Sequence, residues 1–242
     1  GFLGANGAGK STTLKMITGY LAPTSGEVFV NGLNIESHQL EVQKQIGYLP
    51  ELNPLYTEMR VYDLLEFTAQ IRGIKGKNFR EALSRVSKQC GLKGVIHKQV
   101  SDCSKGYKQR IGLACSLIHD PKILILDEPV TGLDPNQIVE IRELIKSLGK
   151  EKLVLMSSHI LQEIQLTVDR IIIINNGEIV ADGTSEELMS GFKGNTKLSL
   201  ELKNCSSEDL EKLIKSIPSL SLISIEETKG KSSIELEYAK DE

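Results

Sequence analysis

The 242-residue sequence has no surplus of positive charge: 29 lysines and arginines stand against 32 aspartates and glutamates, a net charge of -3. A nucleic-acid binder needs a basic footprint to displace counterions from phosphates, so no nucleic-acid partner is expected. The sequence also lacks long apolar runs. Its longest purely aliphatic stretches, such as Ile171 to Ile174, fall far short of the roughly 18 residues that cross a bilayer. No signal-peptide pattern opens the chain, and the expectation is a soluble, cytoplasmic protein. The four cysteines, Cys90, Cys103, Cys115 and Cys205, form no CxxC pair and no Cys/His cluster of metal-ligand spacing, which reads as free buried thiols. Internal repeats and low-complexity tracts are absent as well.

What is present, 40% hydrophobic and 25% charged residues, is the composition of a folded globular chain with room for one large domain and a small appendage. From Ser11 to about Gly191 helix-like and strand-like stretches alternate, the pattern of an α/β fold with a mostly parallel sheet flanked by helices. Phe79, Leu83, Val86 and Cys90 fall on one helical face, with Asn78 placed to cap the start and Gly91 the end. A second helix starts at Asp134-Pro135, aligns Ile138, Ile141, Ile145 and Leu148, and stops at Gly149. Ile123 to Leu126 and Leu153 to Met156 read as strands buried on both faces, the sheet's centre. Arg170 to Asn175, Asn176-Gly177 and Glu178 to Ala181 read as a hairpin, because Asn-Gly tolerates the positive φ of a tight turn. Past Gly191, Thr196 to Lys203, Ser207 to Ile217, Leu220 to Ile225 and Ser232 to Tyr238 suggest a small βαββ domain over 196–242. The first domain is expected over 1–191, with a helical subdomain at about 52–120.

Chemistry concentrates in spaced motifs. Gly4-Ala5-Asn6-Gly7-Ala8-Gly9-Lys10-Ser11 fits GxxxxGK[ST] between an apolar strand end, Phe2-Leu3, and a helix. Gly4, Gly7 and Gly9 let successive backbone N–H groups, with those of Asn6 and Thr12 in the same loop, turn toward phosphate oxygens. Lys10 reaches the β and γ phosphates and Ser11 offers a hydroxyl to Mg²⁺. Ile123-Leu124-Ile125-Leu126 is followed by Asp127 and Glu128. This sets Asp127 at a strand's carboxyl end to hold Mg²⁺, and Glu128 beside it to orient a water.

Cys103-Ser104-Lys105-Gly106-Tyr107-Lys108-Gln109-Arg110 precedes that strand; Gly132-Leu133-Asp134-Pro135 and Ser157-Ser158-His159 follow it. In this order the motifs resemble the ATP-binding cassette family across about residues 1 to 190, and their wording is similar to exporter-type cassettes of the drug-resistance and gliding-motility kind. The resemblance implies a P-loop ATPase that binds ATP with Mg²⁺ and pairs with a second nucleotide-binding subunit. It also implies an integral membrane permease as partner and a place on the cytoplasmic face of the membrane through that permease. In such a pair Ser104 and Gly106, opening a helix whose positive end suits an anion, would face the γ phosphate held by Lys10 of the opposite chain. Ser104 can cap its own helix as well. Asp134 would lie at the same shared site, and His159 would contact the γ phosphate as the switch histidine. Glu128, His159 and Lys10 are thus the expected catalytic residues.

The resemblance is not complete. Cys103, Lys105 and Tyr107 replace the usual leucine, glycine and glutamine. Glu51, in Ile46-Gly47-Tyr48-Leu49-Pro50-Glu51, stands where the family's glutamine commonly sits and is expected to offer its oxygen to Mg²⁺ or water with an added negative charge. The other three histidines, His38, His97 and His119, lack motif context and are expected at the surface. The family normally has an upstream strand with an aromatic residue that stacks on adenine, so a cassette truncated at its front is expected here. Cassettes of soluble machines form the rival reading, but only 117 residues separate Lys10 from Asp127 (127 minus 10), with no sustained heptads between them. No Asn-Lys-x-Asp sequence supports a GTPase.

Overall fold

The computed structural model describes residues 1–191, 196–203, 214, 217, 220–228 and 231–238. In chain order the first unit runs β1 (Phe2–Leu3), α1 (Lys10–Ile17), β2 (Phe29–Val30), β3 (Leu33–Asn34), α2 (Gln39–Gln45) and β4 (Ile46–Leu49). It continues through α3 (Val61–Ile71), α4 (Gly76–Gln89), α5 (Lys105–Leu117), β5 (Ile123–Leu126), α6 (Pro135–Gly149) and β6 (Leu153–Ser158). Last come α7 (Leu161–Gln165), β7 (Ile171–Asn175), β8 (Glu178–Gly183) and α8 (Ser185–Gly191), at whose middle the unit ends. Residue contacts divide the chain into two compact units, Gly1–Leu188 and Met189–Glu242.

The main sheet has the order β4-β5-β6-β1-β7-β8. The first five strands are parallel and β8 turns back antiparallel on β7. Asn176 and Gly177 make that turn with φ of 50° and 82°, as a two-residue loop of primed type requires.

All of β5 is buried, and its alternation explains why. Ile123 and Ile125 pack on one side of the sheet with Phe2, Leu14, Val42 and Ile46. Leu124 and Leu126 pack on the other with Leu65, Ile111, Ile141 and Met156. A strand covered on both faces needs apolar side chains at every position. β6 does not share this along its whole length: Leu153, expected in the core, is 66% exposed at the strand's entry, where the chain has just left α6.

Helix α4 starts at Gly76, two residues ahead of the expected cap, with Lys75 extended before it and Asn78 inside the first turn. Its end agrees with the sequence, Gly91 taking φ 67° after Cys90, the left-handed conformation that stops a helix. Cys90 and Cys103 are buried and Cys115 is half-buried, all free thiols. Burial pushes the Cys90 thiol up to about 12 and Cys115 to about 11, so neither supplies a thiolate near neutral pH. Cys205 lies outside the described residues.

His119 departs from the surface position expected for it. Its ring is half-buried at the end of α5, with Nε2 3.1 Å from the Ile46 carbonyl and Nδ1 enclosed without a partner among the described residues. His38 and His97 are exposed. The second unit is described as an antiparallel sheet of β9 (Thr196–Lys203), β10 (Leu220–Thr228) and β11 (Lys231–Tyr238), in the order β10-β11-β9. Ile214, Ile234 and Leu236 form its small apolar cluster. The expected helix Ser207 to Ile217 lies outside the described residues except at Ile214 and Ile217. Among the described residues no helix is long and apolar enough to cross a membrane.

Candidate functional site

The carboxyl ends of the parallel strands carry the chemistry-bearing side chains, as open α/β sheets dictate. After β1 the chain curls through Gly4 to Gly9. Gly7 and Gly9 take φ of 82° and 107°, and a Cβ on Gly4 would lie 2.5 Å from the Ile174 carbonyl oxygen. Glycine is needed at all three for these reasons. Gly9 caps α1 without a side-chain hydrogen bond, so the first amides of this helix keep their donor capacity and its positive end faces the loop. Asn6, Gly7 and Thr12 are exposed, Gly9 and Ser11 half-buried, and Lys10 is buried. Lys10 Nζ donates to the Gly4 carbonyl at 2.8 Å and the Ala5 carbonyl at 3.3 Å, and lies 3.4 Å from Glu128 Oε1.

Asp127 and Glu128 follow β5, with Asp127 N–H donating to the Leu49 carbonyl of β4. Both carboxylates are buried. Ser157, near the end of β6, joins them: its hydroxyl donates to Asp127 Oδ1 at 2.7 Å and accepts from Glu128 N–H at 3.0 Å. Glu128 Oε2 accepts from the Thr131 hydroxyl at 3.1 Å and faces His159 Nδ1 at 2.9 Å. An ionised carboxylate only accepts, so Nδ1 carries the hydrogen in that contact. The structure therefore brings Lys10, Asp127, Glu128 and His159 together from the start of α1 and the ends of β5 and β6. Ser157 stands in the Ser157-Ser158-His159 motif without a role assigned to it, and the sequence does not single out Thr131. Their positions next to the Ser158-His159 and Glu128 motifs are the only signal the sequence offers.

Glu51 is exposed in the turn after β4. The parallel pairing of Leu49 with Leu126 sets the ends of β4 and β5 side by side, so Glu51 and Asp127 share one end of the sheet. Burial, together with the Asp127 and Glu51 charges, holds the nearby Tyr48 phenol up at about 12.

Among the described residues no group of three or more His, Cys, Asp or Glu forms a metal cage. Mg²⁺ in phosphate chemistry needs only one or two carboxylates beside phosphates and water. Asp127 fits that requirement: among the described residues Ser157 is its one side-chain hydrogen-bond partner, and no hydrogen bond reaches Oδ2.

Ser104, Gly106 and Asp134 gather elsewhere, in an open cleft of about 530 Å³ that Asn136 and Gln137 also line. Two helices begin there. Ser104 caps α5 by accepting from Tyr107 N–H at 3.4 Å, and Asp134 caps α6 by accepting from Gln137 N–H at 2.9 Å. A Cβ on Gly106 would come within 2.6 Å of the Gln137 side chain. No hydrogen bond or ion pair among the described residues joins Ser104, Gly106 or Asp134 to Lys10, Glu128 or His159. Cys103 is packed in the core, its thiol donating to the Gln99 carbonyl.

The sequence profile of the family described as ABC transporter matches residues 1–131, more than half of the chain. The chain belongs to the ABC transporter family. Residues 1–131 of this ABC transporter chain contain the phosphate loop, Glu51, Ser104, Gly106, Asp127 and Glu128; Asp134 and His159 follow them. The bacitracin transport ATP-binding protein BcrA of Bacillus licheniformis is 42% identical over 184 residues, 75% of this chain and 59% of its own length. Among solved structures, an ATP binding subunit of an ABC transporter is 31% identical with a TM-score of 0.70, over 79% of this chain and 80% of the other. The cbiO1 protein of Clostridium perfringens, part of the ABC transporter complex cbiONQ, is 28% identical with a TM-score of 0.71, over 78% of each chain. The chain spans 22% to 61% of the length of the curated relatives at the head of this group.

Proposed function

We propose that this chain binds ATP with Mg²⁺ and hydrolyses it, serving as the ATP-binding subunit of a transporter whose pore is a separate membrane permease. The observation that carries the reading is the convergence of Lys10 and His159 on the two oxygens of the Glu128 carboxylate, at the mouth of a phosphate loop whose helix amides lack a side-chain cap. Such a site can grip a polyphosphate and hold a base where water would attack it. Export is favoured by relatives named for bacitracin transport and multidrug transport, and membrane attachment on the cytoplasmic side would follow from the permease.

In this reading the backbone amides of Asn6, Gly7 and Gly9 to Thr12, with the Lys10 side chain, hold the phosphates, while the Gly4 N–H stays on the Ser158 carbonyl. Ser11, Asp127 and Glu51 are the oxygen donors for Mg²⁺, which supplies charge neutralisation on the phosphate oxygens when bound. Glu128 accepts a proton from the attacking water, a role worth about 10² to 10⁴ in rate for a positioned base. Ser157 and Thr131 fix where that carboxylate points, and His159 contacts the γ phosphate. Two chains, or one with a relative, pair head to tail. The starts of α5 and α6, with Ser104, Gly106 and Asp134, then present their positive ends to the γ phosphate held by the opposite Lys10. Residues 196–242, as a separate small domain, are dispensable for hydrolysis.

The test is phosphate release by the purified chain in ATP with Mg²⁺ and its arrest by EDTA. Nucleotide-dependent release that needs the metal supports the reading. A chain that neither binds nor cleaves ATP overturns it.

A further inference from the structure

Glu128 has a backbone that its neighbours must hold in place. Its φ is 50°, left-handed for a residue with a side chain, and the next residue is Pro129, which steers its predecessor toward extended conformations. Such a conformation persists only where the surroundings over-determine it. Two of the contacts that hold it come from nearby in the site: Ser157 Oγ accepts the Glu128 N–H at 3.0 Å, and Thr131 N–H donates to the Glu128 carbonyl at 3.2 Å. The third comes from α5. Gln109 Nε2 donates to the carbonyl of buried Pro129 at 2.7 Å. Helix α5 is fixed in turn from β4's loop, because Asn53 Nδ2 donates to the Lys108 carbonyl at 2.9 Å and the Asn53 side chain lies flush on Gly112, where a Cβ would be 2.3 Å from its Oδ1.

We propose that Gln109 is a positioning residue for Glu128, fixing the left-handed Glu128–Pro129 backbone from the helix that begins at Ser104 and Gly106. The inference rests on the reading of Glu128 as the base. Gln109 acts through the Glu128–Pro129 backbone, by presenting one N–H donor to the Pro129 carbonyl. Because the same helix carries the face offered to a partner chain, a shift of α5 would be felt at the carboxylate through this bond.

Three variants of the full chain separate the donor from the shape of the side chain. Gln109→Met keeps the length and removes the donor, Gln109→Glu keeps the shape and replaces the donor by an acceptor, and Gln109→Lys keeps a donor of similar reach. The Met and Glu variants are expected to lose about tenfold or more in kcat, the scale of a small misplacement of a reacting group. Their KM for ATP should stay within about twofold, as for an interaction that matters only during the chemical step. The Lys variant should recover most of the lost kcat. Glu128→Gln, measured alongside, distinguishes the two failures. If Glu128→Gln leaves turnover unchanged, the base assignment and this inference fall together. If Glu128→Gln cuts turnover while the Met and Glu variants turn over like the parent, or the Lys variant loses as much as they do, the positioning role of Gln109 alone is overturned.

Discussion

Lys10 Nζ and Glu128 Oε1 face each other at 3.4 Å, each side chain only 6% exposed. Removing one partner of such a pair leaves a buried charge without its counter-ion, a loss of up to about 3 to 5 kcal/mol where no other group compensates. Here each side chain keeps other partners that compensate in part. Lys10 keeps the Gly4 and Ala5 carbonyls, whereas Glu128 without Lys10 keeps Thr131 and His159. Lys10→Met should therefore destabilise the fold by about 1 to 3 kcal/mol, and adding Glu128→Gln to it should restore most of that loss. Urea unfolding of both single variants and the double variant measures the coupling; strictly additive effects would show that the two side chains do not depend on each other.

The proposed head-to-tail pairing would require a small residue at the start of α5. Gly106 is buried against Gln137, so a large side chain there has to project into the cleft lined by Ser104 and Asp134. Gly106→Trp in a Glu128→Gln background should abolish the ATP-dependent dimer seen by light scattering. Equal dimer fractions with and without the tryptophan would refute the shared-site arrangement.

Strand β4 and helix α5 approach each other too closely for a side chain at Gly47. A Cβ there would stand 2.2 Å from the Ser116 carbonyl oxygen, a backbone atom that cannot swing away. Gly47→Ala should cost about 1 to 3 kcal/mol by overpacking, lowering the thermal midpoint by roughly 2 to 4 °C per kcal/mol for a chain of this size. Gly149→Ala is the control, since nothing lies within 4 Å of its Cβ. It should be neutral or slightly stabilising.

His119 makes stability depend on pH. Burial, then the neighbouring Arg72 charge, pulls its pKa down from 6.5 to about 4. Between those values the unfolded chain binds a proton at His119 that the native chain refuses, so stability falls as pH drops from about 6.5 to about 4. Asp120, held below its ordinary value first by the Lys152 hydrogen bond, adds a loss in the same direction at lower pH. His119→Gln keeps a donor for the Ile46 carbonyl and cannot titrate. Its unfolding free energy should slope less over this interval, and a slope equal to the parent's would show that His119 is not the group responsible.

Much of this fold and site is legible in local chemistry alone. The glycines and lysine of residues 4 to 10, the aliphatic run before Asp127 and the Asn176-Gly177 turn each obey rules confined to a few consecutive residues. Ser157, Thr131, Gln109 and Asn53 obey no such rule. Their hydrogen bonds go to Asp127, Glu128, the Pro129 carbonyl and the Lys108 carbonyl, and three of these four bonds connect different elements that only the folded sheet brings together. Tertiary packing likewise decided His119, which α5 carries against β4, and Leu153, whose apolar side chain lies at an exposed strand end. The start of α4 fell two residues from Asn78 because helix ends are fixed by small differences among neighbouring caps.

The role of Glu128 as the base of an ATP-cleaving site is tested by one substitution, Glu128→Gln, which keeps the side chain's size and removes its proton-accepting charge. Nucleotide binding followed by calorimetry, together with steady-state phosphate release, should show ATP bound at least as tightly as by the parent and turnover reduced by about 10² to 10⁴. Turnover within about threefold of the parent, with binding intact, would contradict the account.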